Sequence, residues 1–75
     1  VCGERRKFVE QLSLNYSENT VGRGLINNGN VLEVFVSNNG SWTIIMTKPD
    51  GTSCVVASGE AWEKVHKNLD SEPAA

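Results

Sequence analysis

The chain reads as an α+β domain: a four-stranded antiparallel meander with an N-terminal and a C-terminal helix, at least the first on one face of the sheet. Three observations predict this. Asn28-Gly29, Asn39-Gly40 and Asp50-Gly51 recur every eleven residues, the length of a strand of about eight plus a loop of about three. A three-residue loop at Asn38-Asn39-Gly40 makes one face of the flanking strands uniformly apolar. The segments on either side, Glu4 to Tyr16 and Glu60 to Leu69, carry apolar residues at helical spacing.

The first element is the helix over Glu4 to Tyr16, where Phe8, Val9, Leu12 and Tyr16 form a stripe. Four strands follow, at about Thr20–Ile26, Asn30–Ser37, Ser41–Lys48 and Thr52–Ala57. The middle hairpin tests their register. A two-residue Asn39-Gly40 loop pairs Phe35 with Ile44 and puts Val34 and Trp42 on opposite faces. A three-residue loop pairs Val36 with Trp42, Val34 with Ile44 and Leu32 with Met46. A one-residue slip flips every side chain, so the test is sharp. Three-residue loops commonly end in a left-handed residue, the natural place for glycine.

Pro49-Asp50-Gly51 extends the register, with Pro49 pre-setting the first turn position. Met46 then faces Cys54, and Ile44 faces Val56. Asn27-Asn28-Gly29 pairs Gly24 with Leu32 and Gly22 with Val34. The inner face carries Ile26, Leu32, Val34, Val36, Trp42, Ile44, Met46, Cys54 and Val56, and the helices are expected to cover it. Gly22 and Gly24 would let a helix approach the first strand closely. The last element is a helix over Glu60 to Leu69, with Trp62, Val65, His66 and Leu69 in one stripe and Ser58 or Gly59 as its cap. Residues 1–70 make one domain, and 71–75 read as a disordered tail.

A chain of 75 residues is a small domain. Burial supplies roughly 110 kcal/mol at ~25 cal/mol/Å², and ordering costs about the same at ~1.5 kcal/mol per residue. A covalent staple would therefore matter. Cys2 and Cys54, the two cysteines, are the candidate disulfide, closing a loop worth roughly 4 kcal/mol. The alternative is two separate buried thiols. A metal site is not expected, because there is no Cys-x-x-Cys and His66 is the single histidine. No cofactor motif is present: Gly22-Arg23-Gly24 lacks the further glycine and the strand-to-helix context of a phosphate loop.

The net charge of −2 gives no push toward nucleic acid. Arg5-Arg6-Lys7 is the single basic cluster, and helical geometry spreads it around the axis. No run is long enough for membrane insertion. The chain opens Val-Cys-Gly without Met, as a mature chain does after signal-peptide removal, which points to a periplasmic or secreted protein.

Several short motifs carry a resemblance. They are Cys2-Gly3-x-Arg5, Leu12-x-x-x-Tyr16-x-Glu18, Gly24-Leu25, Glu33-Val34-Phe35, Ser41-Trp42-Thr43-Ile44, Pro49-x-Gly51-x-x-Cys54 and Ala57-x-Gly59-x-x-Trp62. In this order the chain resembles a group of small exported proteins of alphaproteobacteria that has no assigned activity. The resemblance implies export and supports pairing of Cys2 with Cys54. It implies no catalytic residues.

Function is expected to lie in binding and not in catalysis. Nucleophilic catalysis needs a nucleophile, a base and an orienting group in reach, and no such set is visible. Glu33 faces Arg23 across the first two strands as a surface ion pair. The outer face carries Val21, Leu25, Val31, Phe35, Ile45 and Val55, an apolar patch with polar neighbours. It is the expected interface, for an unknown protein partner or a homodimer, unless the C-terminal helix wraps over it. The alternatives are a small enzyme or enzyme inhibitor with a pocket near Trp42, Trp62 and His66, and a phage-encoded host-binding protein.

Overall fold

The computed structural model describes residues 1–65. It has one helix and a five-stranded antiparallel sheet: β1 (Cys2–Glu4), α1 (Arg5–Tyr16), β2 (Asn19–Leu25), β3 (Val31–Val36), β4 (Trp42–Thr47) and β5 (Thr52–Gly59). The sheet order is β1-β5-β4-β3-β2. The meander of β2 to β5 follows the expected register from each loop as far as two bulges, in β2 and β5. The fifth strand, β1, adds to the outside of β5 through Cys2↔Cys54, Gly3↔Ser53 and Glu4↔Thr52. Three residues are too few to show a period of two, so β1 leaves no pattern in the sequence.

The three loops are built alike. Gly29, Gly40 and Gly51 have φ of 91°, 95° and 93°. In each loop the glycine N–H donates to the residue three before it: Ile26, Ser37 and Lys48. Those same residues donate their own N–H across the loop to Asn30, Ser41 and Thr52. This is the three-residue loop with a left-handed glycine. Across β3 and β4 it pairs Val36 with Trp42, Val34 with Ile44 and Leu32 with Met46.

Two bulges interrupt the β2–β3 and β4–β5 ladders. One lies between Thr20 and Gly22, so Thr20 and not Val21 opposes Phe35. The other lets Ile44 oppose Ala57 and not Val56. Val21 and Val56 are the extra residues, and both are exposed. An inserted residue shifts every later side chain by one step.

The larger correction concerns the faces. Leu12 of α1 packs on Phe35 and Ile45, with Val9 and Val55 against them. The helix thus covers the face that carries Glu33, Phe35, Thr43, Ile45 and Ser53, all buried. The face expected to be the inner one, with Leu32, Val34, Val36, Trp42, Ile44 and Met46, is only half-buried. The cause is β1. Cys2 pairs with Cys54 on an edge strand, and the Arg5 N–H donates to Gly51 O, which starts α1 at that corner. A disulfide made from a strand leaves the helix free to take the other face. A Cβ at Gly22 or Gly24 would meet nothing within 4 Å, so neither serves helix packing.

The expected C-terminal helix is not formed over its described part. Residues 60–65 are irregular. Ala61 has φ 60°, outside the helical range, and the Trp62 N–H donates to Gly40 O at 2.9 Å. The rest of that helix, with His66 and Leu69, and the tail at 71–75 lie outside the described residues.

Candidate functional site

Six apolar side chains cluster on the open face, three from β3 and three from β4. The pairs Val36–Trp42, Val34–Ile44 and Leu32–Met46 put them side by side. Adjoining positions in β2 are glycine: Gly22 opposes Val34 and Gly24 opposes Leu32. On the other side Cys54 opposes Met46 and forms the disulfide with Cys2. None of these residues is charged. The chain after β5 closes one end of the face. Trp42 donates its indole N–H to Glu60 O at 3.2 Å, and its ring lies 5.9 Å from Trp62. Gly59 lacks a Cβ where one would meet the Trp42 ring at 2.8 Å, so only glycine lets the ring pack this close to β5.

The residues expected to form an interface are divided. Phe35 and Ile45 lie in the core under α1, at 1% and 0% exposure, and offer no surface. Val55 packs beside them. Val21 and Leu25 are exposed, and Val31 is half-buried. These six do not form one patch. Of the alternative pocket, Trp42 and Trp62 meet, and His66 lies outside the described residues. Glu33 is paired chiefly with Arg5. The guanidinium donates Nε to Oε1 at 2.7 Å and its second nitrogen to Oε2 at 2.8 Å. Arg5 holds the Glu33 carboxyl below the usual carboxylate range, chiefly by this hydrogen bonding.

Sequence reasoning missed a second feature, at the far end of α1. Ser17 takes a left-handed conformation, φ 55°, and the next N–H, of Glu18, donates back to Leu12 O at 3.0 Å. The turn folds Glu18 inward, where it is 3% exposed. A groove of about 410 Å³ opens beside it between α1 and β5, lined by Phe8, Leu12, Tyr16, Val55 and Glu60 among others. The Phe8, Leu12 and Tyr16 stripe was legible as helix periodicity. The burial of Glu18 was not, because it depends on one left-handed serine. Among the described residues no group of three His, Cys, Asp or Glu could hold a metal ion, and no helix is long and apolar enough to cross a membrane. No known protein family, curated protein or solved structure matches the chain.

Proposed function

We propose that this chain is a non-enzymatic binding module, exported to an oxidising compartment such as the periplasm, that associates with a second copy of itself through the open sheet face. The observation that carries the reading is the uncharged cluster of Leu32, Val34, Val36, Trp42, Ile44 and Met46, which no helix among the described residues covers. A contiguous apolar patch of this kind marks an interaction site. A second copy suits it. The molecule is a plate of 46 × 31 × 14 Å, so its face is on the order of 1,000 Å², and a standard interface takes ~800 Å² from each partner. The absence of charge removes any need for a complementary partner. The flanking Gly22 and Gly24 leave room for a second sheet at the usual spacing of ~10 Å. Two copies would form a sandwich with both helices outside. The Cys2–Cys54 bond supports export, since disulfides persist in oxidising compartments.

Sedimentation equilibrium between roughly 1 μM and 1 mM tests the association, a range that spans ~4 kcal/mol of binding free energy. A dimer is expected in that range, and Ile44→Lys should be monomeric with an unchanged circular dichroism spectrum. A wild-type monomer throughout, or an Ile44→Lys dimer of full strength, overturns the reading.

A further inference from the structure

We propose that the groove between α1 and β5 binds a small organic amine, an ammonium group on an apolar stem, with Glu18 as its anchor. The proposal stands on a separate surface from the open sheet face and does not depend on self-association. Glu18 Oε2 accepts the Ser41 hydroxyl at 2.8 Å, and Ser37 Oγ lies 2.8 Å behind Ser41 Oγ. Ser37 Oγ is itself fixed, accepting the N–H groups of Asn39 and Ser41. The carboxylate is therefore held in one orientation. Its other oxygen, Oε1, is fully buried and accepts no hydrogen bond among the described residues. A buried carboxylate oxygen with no donor carries a desolvation cost that a partner would remove.

The groove defines that partner. The missing group must donate a proton, because a carboxylate accepts only. It must enter through a groove of about 410 Å³, near the lower end of small-ligand sites. Phe8, Leu12, Tyr16 and Val55 give that groove an apolar and aromatic wall, Glu60 adds a second carboxylate, and no Lys or Arg lines it. Two carboxylates and aromatic rings favour a cation over a neutral alcohol and exclude an anion. A primary ammonium on a short aromatic or alkyl stem meets every one of these requirements.

The test is a nitrogen–proton chemical-shift titration in the Ile44→Lys background, which removes the open-face contact, with 2-phenylethylamine, 2-phenylethanol and phenylacetate as probes. The amine should give saturable shifts at the Glu18, Ser41 and Val55 amides with a Kd below about 1 mM. The alcohol should bind at least ~10-fold more weakly, and phenylacetate should not bind. Glu18→Gln should weaken the amine by ~10-fold or more. Should Glu18→Gln fail to fold, Gln11→Trp decides: Gln11 is exposed on α1 and lines the groove, so the indole should block binding with the helix intact. No saturable shift, equal binding of the alcohol, or full amine affinity in Glu18→Gln or Gln11→Trp overturns the proposal.

Discussion

Arg5 and Glu33 form the long-range pair that fastens the start of α1 to the face it covers. Glu33 sits in the middle of β3, 1% exposed, while the Arg5 side chain is 39% exposed at the start of α1. The two-pronged contact satisfies both carboxylate oxygens, and Arg23, directly across on β2, adds attraction. Arg5→Ala leaves Glu33 buried without its donors, and breaking such a half-buried pair should cost about 2 kcal/mol. In a domain of this size that lowers Tm by about 8–16 °C. The Arg5→Met/Glu33→Leu double variant should recover most of the loss, because no charge remains buried. The sign with pH follows from the depressed folded-state pKa of Glu33. Its contribution is fully present above the unfolded value of about 4.3 and is lost as pH falls through the lower folded value. Arg5→Ala should therefore flatten the acid limb of a Tm-versus-pH curve. An unchanged acid limb would falsify this assignment. The sequence offered Arg23 as the partner of Glu33, because cross-strand distance is local and readable, whereas a contact 28 residues away depends on where the helix lands.

The three loops give the sharpest prediction for the elements. All three glycines sit near φ 91–95° with the same hydrogen bonds, and an L-residue there costs roughly 1–2 kcal/mol. Gly51→Ala should lose about that much from backbone strain alone, since nothing lies within 4 Å of its missing Cβ. Gly40→Ala should lose a similar amount, because its Cβ would stand at an ordinary van der Waals distance, 3.5 Å, from the backbone of Ala61 and Trp62. Urea denaturation midpoints measure both losses, and a negligible loss at either glycine would refute the shared left-handed loop. This regularity explains what was legible. The spacing of the glycines carried the loop length, and loop length with alternation carried the register of β3 and β4. The bulges at Val21 and Val56 were hidden, because an extra valine looks like any other strand residue. The choice of face was hidden too. Both faces of the central strands hold apolar side chains, and the face with more of them is the one left open. The helix takes the other, where Arg5 reaches Glu33 and Leu12 reaches Phe35 and Ile45.

The whole molecule has little to hold it together besides the sheet. Among the described residues only Leu12, Phe35 and Ile45 are buried apolar side chains. The larger apolar cluster lies on the face that α1 leaves open, where its six side chains are half-buried. The Cys2–Cys54 bond then carries an unusual share of the stability. It joins residues 52 apart in sequence, for which chain entropy gives about 4 kcal/mol, against a total of ~5–15 kcal/mol for an ordinary domain. It also anchors the edge: β1 caps β5, and the Val55 N–H donates to Val1 O at 3.0 Å. Serine at both positions should lower Tm by about 20 °C, as read by circular dichroism at fixed protein concentration, so that self-association does not blur the comparison. Amide exchange separates two ways this could happen. If the bond constrains the unfolded chain, protection should fall together across β3, β4 and β5. If it merely fastens β1, protection should fall at the Val55 amide alone and Tm should drop by only a few degrees. The small core favours the first outcome, because a 52-residue separation leaves α1, β2, β3 and β4 inside the loop that the bond closes.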